Sequence, residues 1–299
     1  MKFFPMFLNM QGRRVIVLGG GEQAAQKVRL LLKTDAEILV VSDALDDELG
    51  GYLSEGKILF SNAEVTPDLL VSAVLVFSAT GCAGAGAAHA GLAAAANVLV
   101  NVVDQPENCD AITPSIVDRD PLVVAIGTEG AAPVLARQIK ASLETQLEPD
   151  LGQFVRFAGS MRRAVRLAIP KSTHRSFWSW VFSARPRQLF QKGATGHAFQ
   201  AVKAAVKDHG GALATGGSFH EVRVSEDDPD QVRLGDLRAL QEADIIVATQ
   251  KNFDKVLELA RRDAERVYDR SYADAGEADL RGKLARDPSA RIVKLVTAH

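Results

Sequence analysis

The stretch RVIVLGGGEQAAQKVRLLLK, residues 14–33, decides the fold. Arg14 to Leu18 is a short β-branched run that reads as a strand, and it stops at three glycines. From Glu22 to Lys33 the apolar spacing turns helical, with Ala24, Val28, Leu31 and Leu32 on one face. Between them, Gly19-Gly20-Gly21-Glu22-Gln23-Ala24 fits G-x-G-x-x-A. Gly19 permits the tight turn, Gly21 lets a pyrophosphate approach the backbone, and the small Ala24 lets helix and strand pack closely. The helix directs its first N–H groups and the positive end of its dipole at phosphate. Glycine-rich turns also serve as plain connectors, but this one follows a strand, opens a helix and precedes an acidic residue. The next apolar run, Ile38 to Val41, ends at Ser42-Asp43, and Asp43 lies 22 residues past Gly21. A carboxylate there accepts ribose hydroxyls and repels a 2′-phosphate, so NAD is expected over NADP. Glu22, Gln23, Ala44 and Thr80 are the further cofactor-binding candidates.

Composition narrows the class. A length of 299 residues suggests two or three domains. Apolar residues at 47% and charged residues at 24% exclude wholesale disorder and a collagen-like fibre. The net charge of −2 carries no nucleic-acid signal. Cys82 and Cys109 are too few for a disulfide framework and have no C-x-x-C spacing, which suits a reducing cytoplasm. The opening MKFFPMFLNM is too short for a signal-peptide core, and no apolar run reaches the roughly 20 residues of a membrane span. The expectation is a cytoplasmic protein without membrane attachment.

Two more strand-like runs, Ala73 to Phe77 and Val98 to Val103, flank an alanine-rich helix over 83–96. This alternation predicts βαβ units and a parallel sheet. After Asp110, Ile112 to Val117 and Leu122 to Ile126 are joined by Asp118-Arg119-Asp120-Pro121, whose turn chemistry predicts a hairpin outside that sheet. A helix then starts near Pro133 and runs to about Gln146. Residues 151–192 hold nine arginines and lysines and no acidic residue, with Phe177, Trp178, Trp180 and Phe182 among them. The stretch 205–299 swings acidic and alternates strand with helix again. The expected architecture is a Rossmann-type α/β domain over 1–113, a dimerisation hairpin and helix over 114–150, a helical basic region over 151–205, and a small α/β tail over 206–299.

Asn101-Val102-Val103-Asp104 closes the strand that begins at Val98, and carboxyl ends of strands in open α/β sheets are where ligands sit. By position alone Asp104 is a turn cap or a catalyst. These residues, with VIVLGGG, KVRLLL (27–32), NVVD (101–104) and PSIVDRDPLVVAIGTEGAAPVLARQIKASLE (114–144), resemble the precorrin-2 dehydrogenase/sirohydrochlorin ferrochelatase module of siroheme synthases. The resemblance covers roughly residues 1–205. It implies NAD-dependent oxidation of precorrin-2 to sirohydrochlorin, then insertion of ferrous iron as a substrate to give siroheme. It implies Asp104 as general acid/base for both steps, Asn101, Thr128 and Arg137 as substrate-binding candidates, and a homodimer paired through 111–146. Each step needs a proton acceptor, because hydride loss is coupled to proton removal and metal insertion displaces pyrrolic protons.

Thr128 stands where that family commonly has a serine; its hydroxyl could bond a substrate carboxylate, be phosphorylated, or be a plain loop residue. Glu129 beside it adds negative charge. The basic segment suits a polycarboxylate tetrapyrrole through bidentate arginines, and nucleic acid is not expected. The six histidines, His89, His174, His197, His209, His220 and His299, show no paired spacing, so no resident metal site is expected. The tail over 218–299 resembles the first half of a uroporphyrinogen-III methyltransferase domain in LRALQEADIIVA (237–248) and VLELARRDAERVY (256–268). Where that family has a glycine-rich loop this chain reads Val224-Ser225-Glu226-Asp227-Asp228-Pro229, so methyl transfer is not expected. Two other readings compete: a dehydrogenase without chelatase activity, and a dinucleotide-sensing regulatory module.

Overall fold

The computed structural model describes residues 1–210, 218–224, 227–248, 253–268, 282 and 290–297. The chain divides into two compact units, Met1–Pro149 and Asp150–His299.

In the first unit, β1 (Arg14–Leu18), β2 (Glu37–Val41), β3 (Leu59–Ser61), β4 (Ala73–Ser78) and β5 (Leu99–Val102) form a parallel sheet in the order β3-β2-β1-β4-β5. The helices between them are α1 (Glu22–Leu31), α2 (Asp47–Ser54), α3 (Pro67–Leu70) and α4 (Ala83–Ala95). Side chains of a strand alternate between the two faces of its sheet. Val15 and Val17 of β1 therefore join one core with Ala24, Val28, Leu31, Ile38 and Val40. Ile16 and Leu18 join the other with Val41, Leu70, Val76, Val100 and Val102. Both faces are covered, so the central strands are apolar without polar alternation. The predicted βαβ alternation is present. The short edge strand β3 has no counterpart in the sequence reading, because Leu-Phe-Ser is too brief for any period to register.

Strand order reverses beside β1, since β2 lies on one side and β4 on the other. In open α/β sheets ligands bind at such a switch point, outside the carboxyl ends of the strands.

The predicted hairpin is β6 (Ser115–Arg119) paired antiparallel with β7 (Leu122–Ile126), and α5 (Pro133–Gln146) follows. Arg119 fastens the two. Its guanidinium donates to the Leu147 carbonyl at 3.1 and 3.2 Å and to the Glu148 carbonyl at 3.1 Å. It also pairs with the Glu144 carboxylate at 3.1 Å, with only 11% of its side chain exposed. It satisfies carbonyls that the end of α5 leaves without helical partners. Lys33, just past α1, reaches Asp118 in the hairpin at 3.2 Å.

The second unit begins with α6 (Leu151–Ala168), α7 (His174–Ser183), α8 (Arg185–Gln191) and α9 (Thr195–Lys207). Leu151, Phe154, Ala158 and Val165 of α6 recur at helical spacing and are buried. Of the aromatic residues in the basic segment, Phe154, Phe177 and Phe190 are buried and Phe182 is exposed; Phe154 packs on Phe190 at 4.9 Å between centroids, and Phe157 stacks on Phe199 at 3.9 Å. Trp178 sits on Phe177 and under the Arg162 guanidinium. Arg156, Arg162, Arg163 and Arg166 occupy the exposed face of α6. Arg175, by contrast, is paired with Asp244.

The same unit contains a second parallel sheet of β8 (Ser218–Val224), β9 (Ile245–Ala248), β10 (Glu265–Tyr268) and β11 (Arg291–Thr297), ordered β10-β9-β11-β8, with α10 (Leu234–Glu242) and α11 (Asp254–Glu258). Of the loop after β8, Ser225 and Glu226 lie outside the described residues, as does His299. Asp227 accepts hydrogen bonds from the Lys255 and Val256 N–H groups, both at 3.0 Å, and so caps α11.

Arg119→Ala should cost about 1.5–3 kcal/mol, the range for hydrogen bonds to a charged group, and lower the melting temperature by several degrees. Arg119→Lys should recover only part of this, because lysine lacks the planar fork. Thermal unfolding by circular dichroism checks it; an unchanged midpoint in Arg119→Ala means the hairpin docks without this residue.

Candidate active site

The glycine loop lies between the ends of two neighbouring strands. Gly19 is buried at φ 119°, and a Cβ there would lie 2.4 Å from the Ala79 carbonyl oxygen just past β4. A Cβ on Gly20 would lie 1.8 Å from the Ala44 carbonyl oxygen just past β2. The Gly20 carbonyl accepts from the Asp46 N–H at 2.7 Å, which pins the two loops together. Around a Cβ on Gly21, by contrast, there is nothing within 4 Å. Gly21 also caps α1 without any side-chain hydrogen bond, and its carbonyl accepts from the Ala24 and Ala25 N–H groups at 2.9 and 3.0 Å. Gly20, unassigned in the motif reading, is thus the residue on which the loop's closeness to β2 depends.

Asp43 is exposed two residues past the end of β2, with Ala44 beside it. Thr80 is exposed at the end of β4, its hydroxyl accepting from the Cys82 N–H at 3.3 Å. The Glu22 carboxylate is occupied: Gln26 and Arg29 donate to it and hold it below the usual carboxylate range. Its side chain runs along α1, and its backbone N–H is what it offers the loop.

A cavity of about 440 Å³ opens beyond the carboxyl end of β5, between the turn that follows it, the hairpin and α5. Asn101, Asp104, Thr128 and Arg137, the catalytic and substrate-binding candidates, all line it. So do Lys27 of α1, Cys109, Ser115 and Ile126. Asp104 is exposed and takes φ 61°, in the left-handed region that few residues other than glycine adopt. Glu129, on the same cavity, takes φ 51°. Strained backbone of this kind concentrates at functional sites. Gln23 Nε2 donates to Asp104 Oδ2 at 3.3 Å, across 81 residues of sequence. The cofactor loop and the candidate acid/base are therefore in direct contact.

Asn101 is buried and donates from Nδ2 to the Ala111 carbonyl at 2.9 Å. Its Oδ1 is buried with no partner among the described residues. Thr128 Oγ1 accepts from the Ala132 N–H at 3.3 Å at the entry to α5, which leaves the hydroxyl proton for donation elsewhere. The negative charge of Glu129 is engaged by the Lys2 N–H at 2.7 Å and the Phe3 N–H at 3.2 Å, and these contacts hold its pKa below the usual value. Burial pushes the Cys109 thiol up, and its sulfur lies 3.2 Å from the Val102 and Gln105 carbonyls. Among the described residues no group of three or more His, Cys, Asp or Glu is arranged to hold a metal ion, and no helix is long and apolar enough to cross a membrane.

This is the architecture of a dinucleotide-binding domain with a cavity just beyond the carboxyl end of β5, and comparison with known proteins agrees on the fold. Residues 6–115 match the putative NAD(P)-binding family, and residues 150–206 match the sirohaem synthase dimerisation region. The second match falls on the stretch read from sequence as a helical basic region, whereas the resemblance placed pairing at 111–146. The chain is similar in sequence to the siroheme synthases. It is 36% identical over 269 residues to that of Nitrosococcus oceani, which is 90% of this chain and 57% of the relative. It is 38% identical over 273 residues to that of Pseudomonas putida, which is 90% of this chain and 58% of the relative. The chain thus spans rather less than two thirds of the length of these relatives. The fold is shared with SirC, precorrin-2 dehydrogenase, at a TM-score of 0.54 and 23% identity, over 68% of this chain and all of that one.

The two glycines should separate by experiment. Gly20→Ala is expected to lower the melting temperature markedly, because backbone atoms of the Ala44 loop must move. Gly21→Ala should fold normally yet bind NAD at least tenfold more weakly. Calorimetric titration and thermal melts on both variants check this, and normal NAD affinity in Gly21→Ala removes the phosphate from that loop.

Proposed function

We propose that this chain is an NAD-dependent precorrin-2 dehydrogenase that also inserts ferrous iron into the product. The observation that carries the proposal is the meeting of Asp104, Asn101, Thr128 and Arg137 on one cavity, with Gln23 of the dinucleotide loop bonded to Asp104. The homologues named siroheme synthase supply the substrate class.

The residues suit the dinucleotide. The open space over Gly21 and the uncapped start of α1 leave room for a pyrophosphate. Gly19, Gly21 and the Glu22 and Gln23 N–H groups would hold it. Asp43 would accept the ribose hydroxyls, with Ala44 and Thr80 flanking. NAD, when bound, supplies a hydride acceptor.

Asp104 takes the proton that leaves the macrocycle, at its carboxylate. Its exposure lets it return that proton to solvent. Gln23 orients the carboxylate through Oδ2 and leaves Oδ1 for the substrate. With ferrous iron as second substrate, the same carboxylate accepts the pyrrolic protons that the metal displaces. Thr128 and Arg137 would contact carboxylates of the substrate, and Asn101 lines the cavity beside them. We further propose that the chain acts as a homodimer in the cytoplasm, paired through the region 150–206 that matches the dimerisation family.

Asp104→Ala should bind NAD nearly as well as the unaltered protein, while precorrin-2 oxidation falls by roughly 10²–10⁴-fold, the usual effect of losing a general base. Iron insertion should fall less, because buffer also accepts pyrrolic protons. Following the visible spectrum with precorrin-2, NAD and ferrous iron reads both steps; a variant that melts lower but turns over normally would make Asp104 a turn residue. Asp43→Ala should weaken NAD and narrow its advantage over NADP. Equal affinity for the two cofactors in the unaltered protein would refute that assignment.

A further inference from the structure

Lys27 has no part in the dinucleotide motif, yet it lines the cavity together with Asp104. It lies four residues after Gln23 on α1, so both side chains lie on the face of the helix that meets the cavity. It is half-buried, and its Nζ lies 5.8 Å from the centroid of the Phe77 ring. Among the described residues no carboxylate comes within ion-pair distance of it. Burial lowers its pKa, and the nearby Asp104 carboxylate offsets part of that effect. A half-buried ammonium without a hydrogen-bonded counter-ion is costly to hold, and an arriving anion removes that cost.

The cavity's other cation is Arg137, from α5. Its one hydrogen bond among the described residues is a long one, from Nε to the Pro133 carbonyl at 3.5 Å. Of the carboxylates on the cavity, Glu129 is already committed to the Lys2 and Phe3 N–H groups, and Asp104 takes the Gln23 amide. A polyanionic substrate that approaches these two carboxylates meets like charge, and only a cation beside them can offset it.

We infer that Lys27 is a substrate-anchoring residue. Its ammonium receives a carboxylate of the tetrapyrrole on the α1 side while Arg137 receives another on the α5 side, so that the macrocycle is held at two points beside Asp104. The inference rests on the tetrapyrrole reading above and adds which residue of the dinucleotide helix recognises the substrate.

The test uses the full chain and uroporphyrin III, a fluorescent polycarboxylated tetrapyrrole that is already fully oxidised, so binding is read without turnover. Lys27→Met should raise its Kd about tenfold, equivalent to about 1.4 kcal/mol, and make binding less sensitive to salt. Lys27→Arg should restore most of the affinity. NAD affinity, measured by calorimetry on the same preparations, should stay unchanged in both. Should Lys27→Met fail to fold, Lys27→Gln carries the same expectation. Binding of uroporphyrin that ignores the loss of the charge overturns the anchoring role while leaving the tetrapyrrole reading intact. Loss of NAD affinity in place of uroporphyrin affinity overturns it too, and makes Lys27 a dinucleotide residue. If the unaltered protein does not bind uroporphyrin at all, the tetrapyrrole reading falls and the anchor falls with it.

Discussion

Backbone crowding at the end of β1 is the constraint from which the site follows. Gly19 lies against the Ala79 carbonyl on the β4 side, and Gly20 lies against the Ala44 carbonyl on the β2 side. No side chain fits at either position, so the loop is clamped between the two strands that flank the switch point. Clamping aims α1 along the sheet. That direction puts Gln23 against Asp104 and Lys27 into the cavity, although both belong to a helix whose sequence signature concerns phosphate.

The hairpin and α5 close the site from the other direction. Arg119 ties them into one body by spanning the carbonyls at the end of α5, and Lys33 links the hairpin to the region just beyond α1. Thr128, Glu129 and Arg137 are carried by this body. The cavity is thus bounded by two rigid parts, a sheet edge and a hairpin-helix pair, and its polar groups are set by how those parts meet. Glu129 illustrates the effect: in sequence it adds a negative charge to a site for an anion, but in the fold that charge is spent on the N-terminal backbone.

Within the second unit, the compositional oddity of residues 151–192 separates into two physical roles. Phe154, Phe177 and Phe190 are interior packing for the helices, while arginines such as Arg156, Arg163 and Arg166 cover the exposed face of α6. Arg175 is bound to Asp244 instead. A run of positive charge with interleaved aromatic rings is therefore a buried aromatic core under a solvated basic face. Composition alone describes both as one patch.

The sequence by itself determined the elements whose causes are local. Val15 to Leu18, the alanine-rich helix, the hairpin turn and the start at Pro133 follow from β-branching, apolar period and turn chemistry over a few residues. G-x-G-x-x-A, Asp43 and Asp104 were legible for the same reason, since each stands at a fixed offset from a strand end. Tertiary structure alone decided what joins distant positions: the 81-residue contact of Gln23 with Asp104, the clash that only a glycine at position 20 avoids, the grip of Arg119, and the placing of Lys27 on the cavity beside Asp104. A helical period says which face of α1 is apolar, but Gln23 and Lys27 are ordinary polar residues by that measure. What they touch depends on where β5 and its following turn come to lie, and that is set by the packing of the whole sheet.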